Sequence, residues 1–81
     1  SDLVAAFESE KSFGNLKKGE EGTVSHFSNP QIASKLLAMG ILPGSAIQMV
    51  RKAPFGGGCY AKVDNLLVAL RKNEAETIIL K

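Results

Sequence analysis

Residues 29–44 decide the fold of this chain, and they read Asn29-Pro30-Gln31-Ile32-Ala33-Ser34-Lys35-Leu36-Leu37-Ala38-Met39-Gly40-Ile41-Leu42-Pro43-Gly44. Asn29 is a suitable N-cap, and Pro30 follows at the first helical position, where a missing N–H costs nothing. Apolar residues then recur at helical spacing around Leu36. The stretch therefore predicts a helix over about residues 30–39.

The end of this helix is marked as clearly as its beginning. Gly40 can adopt the left-handed conformation that closes many helices, and Ile41 can then fold back on Leu36. Pro43 stiffens the following turn, which Gly44 completes. We therefore interpret Gly40 and Gly44 as residues that the fold requires, and not as a binding site.

Strand patterns precede and follow the helix. They lie at residues 22–27, 47–52, 59–63, 66–70 and 77–80, where β-branched and aromatic residues are frequent or apolar and polar residues alternate.

Two short signals separate the later strands. Asp64-Asn65 is a tight hairpin pair, and Asn73 with Glu76 three residues later predicts a capping box on a single helical turn. Short antiparallel strands must close or nearly close on themselves to protect their edges. We therefore predict a mainly β protein with one or two short helices: a small SH3-like barrel with a helix inserted at about 30–39.

Size and charge limit the possible functions. A chain of 81 residues makes one domain, and a formal charge of +2 is too balanced for a nucleic-acid-binding protein. The single cysteine, Cys59, cannot form an internal disulfide, which points to a reducing compartment. No apolar run approaches the ~20 residues that span a bilayer, and no signal peptide is evident. We expect a cytoplasmic protein that meets membranes only indirectly.

Residues 1–14 are assigned to an N-terminal extension, and residues 15–81 to the barrel domain. Within the extension Asp2 can cap a short helix, and Leu3 and Phe7 fall on one face of it. Such a helix either docks on the barrel or frays, because it is marginal without a partner.

Five stretches of the chain match one recognisable pattern: Leu16-Lys17-Lys18-Gly19-Glu20-Glu21-Gly22, Lys35-Leu36-Leu37-Ala38-Met39-Gly40-Ile41-Leu42-Pro43-Gly44, Ile47-Gln48-Met49-Val50, Ala53-Pro54-Phe55-Gly56-Gly57 and Leu67-Val68-Ala69-Leu70-Arg71. Together they resemble the FeoA family of ferrous iron transport proteins. The resemblance implies an SH3-like fold and a cytoplasmic role in support of the ferrous iron permease, which carries its own GTPase domain. The same barrel resembles the C-terminal domain of metal-dependent repressors of the diphtheria-toxin-regulator type.

Catalytic patterns are missing from the sequence. Nothing fits the phosphate-binding motif Gly-x-x-x-x-Gly-Lys-Ser/Thr, and the single histidine, His26, has no nucleophile in a known local pattern. We therefore expect a non-enzymatic accessory or regulatory protein of ferrous iron transport that needs no cofactor. It would act through protein–protein interaction with the permease or its GTPase domain.

The alternative function is a transition-metal-binding or metal-sensing module. Its only candidate ligands are His26, Cys59 and a carboxylate such as Asp64, which lack any metal-ligand spacing. They would form at most a weak site for a divalent transition metal. A small barrel that binds RNA is a more distant third possibility.

Partner-binding residues are predicted in and beside the loop Pro54-Phe55-Gly56. An aromatic residue in a glycine-rich loop either anchors an interface or folds back over the mouth of the barrel. The same partner surface is assigned two strand residues, Arg51 and Lys52. It is also assigned Lys35, which lies on the exposed side of the helix.

Three dibasic pairs, Lys17-Lys18, Arg51-Lys52 and Arg71-Lys72, lie at turns or strand ends. They form a solvated rim, or they converge on one end of the barrel and meet an acidic partner or anionic membrane surface. We expect a monomer or a weak oligomer.

Overall fold

The computed structural model describes residues 11–81, so the helix predicted in the N-terminal extension lies largely outside the described residues. The strands are β1 (Lys11–Ser12), β2 (Glu21–Phe27), β3 (Ala46–Lys52), β4 (Cys59–Val63), β5 (Leu66–Leu70) and β6 (Ile78–Leu80). The α-helices are α1 (Pro30–Ala38) and α2 (Lys72–Thr77), and short 3₁₀ turns occur at Phe13–Asn15 and Pro54–Gly56. The predicted fold class, mainly β with short helices, is confirmed.

The strands form one antiparallel sheet in the order β1-β6-β2-β3-β4-β5. β2 belongs to both halves of this sheet, because residues 21–23 pair with β3 whereas residues 24–27 pair with β6. The register shifts between Val24 and His26, at the point where β2 changes partners. Such an irregularity bends a strand, and here it lets the two halves of the sheet turn toward each other.

The predicted caps of α1 are confirmed. The Asn29 side-chain oxygen accepts hydrogen bonds from the N–H groups of Gln31 and Ile32, at 2.9 and 3.3 Å. At the other end Gly40 has φ +91°, and the N–H of Ile41 donates to the carbonyl of Leu36 at 3.0 Å. Leu36 and Ile41 are both fully buried, so the helix end is fastened to the core.

The core lies between the two halves of the sheet and under both helices. Its largest fully buried side chains are those of Phe13, Val24, Leu36, Ile41, Ile47, Met49 and Ile78. Phe13 belongs to the stretch that the sequence assigned to the N-terminal extension. The structure instead packs Phe13 in the core. Phe13 follows β1 directly in the chain, and β1 pairs with β6, so the barrel begins before residue 15.

The second helix is longer than predicted and is capped by a different residue. The Glu74 carboxylate accepts a hydrogen bond from the Arg71 N–H at 2.7 Å, so α2 begins at Lys72. The predicted capping pair, Asn73 and Glu76, lies two residues C-terminal to the observed pair, Arg71 and Glu74. Thr77 consequently closes α2, and the final strand starts at Ile78.

Candidate functional site

The loop between β3 and β4, residues 53–58, projects from the sheet and is called the Phe55 loop below. A hydrogen bond of 2.9 Å from the Ala53 N–H to the Gly58 carbonyl closes its base. Phe55 has φ +62°, a conformation that a bulky residue rarely adopts, and its side chain is completely exposed, at a relative accessibility of 104%. The side chain therefore does not fold back over the barrel mouth, which was one of the two expectations.

Gly58 fixes the end of the Phe55 loop against β5. Its φ is +113°, and a Cβ atom at this position would clash with the carbonyl oxygen of Leu70. Gly57, in contrast, has only ordinary contact distances around its Cβ position. The three consecutive glycines therefore differ in role, and the sequence alone does not show which of them the fold requires.

A cleft of about 230 Å³ lies beside the Phe55 loop. Its apolar lining comes from Met49, Ala53, Cys59 and Ala75, and its charged lining from Lys52, Lys72 and Glu76. Because the sheet does not join β1 to β5, the cleft opens between the Phe55 loop and α2. No local sequence pattern indicates this cleft, because its walls come from segments far apart in the chain.

Basic side chains gather at the same end of the molecule, and we call Lys11, Lys17, Lys52 and Lys72 the basic rim. Lys52 and Lys72 line the cleft together. The pKa of Glu20 is lowered first by a 2.6 Å hydrogen bond from the Lys17 N–H, and then by the charges of Lys11, Lys17 and Lys52. Each of the three dibasic pairs thus contributes one residue to this end of the barrel.

Lys35 has a partner within the protein. Its ammonium lies 2.5 Å from the carboxylate of Glu74, whose side chain is only 5% exposed. Burial by itself would raise the pKa of Glu74, but the Lys35 ammonium and the Arg71 N–H outweigh that effect and lower it. Lys35 therefore links α1 to α2, which separates it from the other predicted partner-binding residues.

The three candidate metal ligands do not come together. His26 is exposed on β2, where its Nδ1 lies 3.0 Å from the Ser25 hydroxyl. Cys59 is buried on β4, two strands away, and burial raises the pKa of its thiol. Asp64 lies in the turn after β4. Within residues 11–81 no group of three His, Cys, Asp or Glu side chains is arranged to hold a metal ion.

The sequence of the FeoA domain matches residues 12–81, which is nearly the whole chain. This chain belongs to the FeoA family. FeoA-domain proteins are small proteins associated with ferrous iron transport, so the predicted family and the coarse function are confirmed. The match begins three residues before the boundary at residue 15, in agreement with the core position of Phe13.

Solved FeoA structures have the same fold. The FeoA protein of Chlorobium tepidum is 28% identical, with a TM-score of 0.74 over 86% of this chain and 69% of that one. FeoA of Stenotrophomonas maltophilia, an SH3-domain protein solved with zinc, is 26% identical, with a TM-score of 0.73 over 88% of this chain and 89% of that one.

A manganese-dependent transcriptional repressor shares the fold as well. It is 22% identical, with a TM-score of 0.78 over 88% of this FeoA domain and 40% of the repressor chain. At this level of identity the likeness concerns the fold alone. The predicted SH3-like barrel, shared with metal-dependent repressors, is thereby confirmed. None of the helices among residues 11–81 is both long and apolar enough to cross a bilayer.

Proposed function

We propose that this FeoA domain is a non-enzymatic, cytoplasmic accessory protein of ferrous iron transport that needs no cofactor. It docks on the cytosolic GTPase-bearing part of the iron permease. The docking surface consists of the Phe55 loop, the cleft beside it and the basic rim. Arg51, Lys52, Pro54 and Gly56 belong to or adjoin this surface, whereas Lys35 does not.

The exposed aromatic ring of Phe55 carries this proposal. A non-glycine residue held at φ +62° costs on the order of 1 kcal/mol, and Phe55 buries nothing in return. Backbone strain without a packing gain is common at sites that contact ligands or partners. An aromatic ring that enters a pocket of a partner is a typical source of binding energy.

The charges around the ring indicate the kind of partner. Lys52 and Lys72 face the cleft, while Lys11 and Lys17 lie on the same side of the molecule, near Glu20. An acidic surface on the partner would complement this rim and would speed association at low salt. The zinc found with the Stenotrophomonas relative is a property of that protein. Zinc titration of this chain, followed at His26 and Cys59, tests the metal-module alternative.

The proposal is tested by measuring the dissociation constant for the purified cytosolic domain of the permease from the same organism. We expect Phe55→Ala to weaken binding by about tenfold or more, because a central aromatic anchor is lost. Leu42→Ala is the matched control, since Leu42 is an exposed apolar residue at a different turn. Unfolding curves of Phe55→Ala should coincide with those of the wild type, because the ring has no internal contacts.

The electrostatic part of the proposal has its own pair of variants. Lys52→Glu should weaken binding and make the affinity depend less on salt concentration. Salt weakens binding by screening attractive charges, and this variant has lost one of them. Lys62→Glu reverses an exposed lysine on β4 outside the cleft and should bind as the wild type does. Equal affinity of the wild type and Phe55→Ala would contradict the docking surface. A wild-type protein that does not bind the permease domain at all would contradict the function itself.

A further inference from the structure

Charge is distributed unevenly along this chain. All ten basic residues lie in residues 11–81, together with five acidic residues, whereas residues 1–10 hold three acidic residues and no basic one. The formal charge of +2 therefore combines a basic barrel and an acidic N-terminal segment. Opposite charges in one chain attract each other, so the basic surfaces of the barrel are candidate contacts for this segment.

The acidic segment also has an apolar middle. It reads Ser1-Asp2-Leu3-Val4-Ala5-Ala6-Phe7-Glu8-Ser9-Glu10. The uninterrupted apolar run at residues 3–7 is bordered by Asp2 on one side and by Glu8 and Glu10 on the other. A surface that binds this segment must therefore offer an apolar floor with positive charges at its margin.

The cleft beside the Phe55 loop has this pattern. Lys52 and Lys72 are exposed at its margin, and Glu76 is the one acidic residue in its described lining. A cavity of about 150 Å³ is large enough to bind benzene, so a cleft of about 230 Å³ has room for a phenyl ring. The buried part of the cleft floor comes from Met49, Cys59 and Ala75.

The acidic segment joins the barrel beside this cleft. Lys11, the first residue of β1, belongs to the basic rim, and Gly14, three residues later, lines the cleft. Three residues span at most about 11 Å, so the segment begins within that distance of the cleft. Phe7 lies four residues before Lys11, which gives its backbone about 14 Å of further reach.

We propose that residues 1–10 occupy the cleft beside the Phe55 loop, with Phe7 on its apolar floor and Glu8 and Glu10 beside the lysines of the basic rim. The covalent connection favours this occupant over a separate molecule. A directly tethered segment has an effective concentration in the millimolar range, so a dissociation constant of about 1 mM fills the cleft for about half of the time.

Occupancy of the cleft would regulate docking, and this consequence rests on the proposed function. The segment and the acidic surface of the partner require the same lysines, so they compete. A segment that fills the cleft for half of the time weakens partner binding by about twofold, because half of the molecules are competent to bind.

Amide chemical shifts of the full chain test the contact without a partner. In the acid-to-lysine variant, Asp2, Glu8 and Glu10 are all replaced by lysine, and the segment should leave the cleft because the basic rim repels it. The amides of Gly58 and Ala75 should then shift. The three substitutions lie outside the described barrel, so the barrel itself is unchanged.

Salt and a matched variant show that the shifts come from this contact. Rising salt should move the wild-type amides of Gly58 and Ala75 towards their positions in the acid-to-lysine variant, because screening weakens the attraction. Glu21→Lys reverses an exposed acid on β2, away from the cleft, and should leave both amides at their wild-type positions.

The single cysteine gives a second measurement, because Cys59 lies in the cleft. Its alkylation by iodoacetamide should be about twofold faster in Phe7→Ala than in the wild type, since a cleft that is filled for half of the time is then open throughout. Ser9→Ala is the matched control in the same segment and should react at the wild-type rate.

Two results would overturn the proposal. One is that the wild type and the acid-to-lysine variant have the same cleft amide shifts at low salt. The other is that the shift differences grow with protein concentration, since the segment of one copy would then occupy the cleft of another. A wild-type chain that passes both tests but does not bind the permease domain would contradict the proposed function alone, so the two failures are distinguishable.

Discussion

Two connections of this barrel use the same turn chemistry for opposite purposes. The link from α1 to β3, residues 39–45, and the Phe55 loop, residues 53–58, each contain a proline and glycines with positive φ. The link buries Ile41 completely, whereas the Phe55 loop leaves its one large side chain in solvent. Proline and glycine therefore determine that the chain turns, and the next apolar side chain determines whether the turn belongs to the core or to the surface.

Hydrogen bonds follow the same division. In the link the N–H of Gly44 donates to the carbonyl of Val24 at 2.7 Å, and the N–H of Ser45 donates to Leu42 at 2.9 Å. In the Phe55 loop, apart from the 3₁₀ turn itself, the described residues show one such backbone bond, from the Ala53 N–H to the Gly58 carbonyl. The link is thus held to β2 and α1, while the Phe55 loop is held only at its base.

The largest expected effect comes from removing the buried side chain of the link. Ile41→Ala should lower the free energy of unfolding by about 2–5 kcal/mol, because it leaves a cavity in the core. Urea denaturation measures this change. Leu42→Ala, the exposed neighbour, should stay within about 0.5 kcal/mol of the wild type. Similar losses at both positions would remove the distinction between buried and exposed sides of the link.

A smaller effect is expected at the base of the Phe55 loop. Gly58→Ala should cost about 1–3 kcal/mol, because the new methyl group meets the Leu70 carbonyl at a positive φ. Gly57→Ala, with φ −84° and only ordinary contact distances around the new methyl group, should be close to neutral. Thermal or urea unfolding of the two variants decides between them. If both are neutral, the Phe55 loop is not anchored at β5.

The smallest effect is expected from removing the ion pair between Lys35 and Glu74. This pair attaches α1, and with it the link that follows α1, to α2. The pKa of Glu74 is depressed in the folded protein, so its contribution to stability is present above about pH 4.3, the value for an unfolded glutamate, and is lost as the pH falls through the folded value. Glu74→Gln should therefore cost about 1–2 kcal/mol at neutral pH and progressively less in acid.

Unfolding curves at several pH values measure this difference. Amide resonances of α1 and the link should titrate with Glu74 in the wild type and lose that transition in Glu74→Gln. A constant difference between the two proteins from neutral to acid pH would contradict the role of the ion pair with Lys35.

Much of the fold was predictable because its signals are local. The caps at Asn29 and Gly40 and the hairpin pair Asp64-Asn65 act over a few residues, and the structure has them where the sequence indicated. Phe13 was missed because its burial depends on β6, at the far end of the chain. The cap of α2 was misplaced because Glu74 pairs with Lys35, a residue far earlier in the chain, and a local pattern does not show this pairing.

The candidate site was predictable only in part, for a similar reason. The Phe55 loop was indicated by an aromatic residue among glycines, but its exposure depends on backbone angles that the sequence does not specify. The cleft and the basic rim arise where three distant segments meet, at residues 11–17, 49–59 and 72–76. Lys35 was assigned to the surface because its spacing on α1 points outward, whereas a long-range ion pair holds it.

The position of β6 between β1 and β2 has a consequence for how the protein reaches its native state. Its three residues, Ile78–Leu80, emerge late in the synthesis of the described region, yet β6 lies between two other strands of the sheet. During translation the earlier strands must wait, with Val24 and Phe13 still unshielded, until residue 80 has left the ribosome. Completion of the barrel therefore depends on contacts between distant parts of the chain, which slows folding.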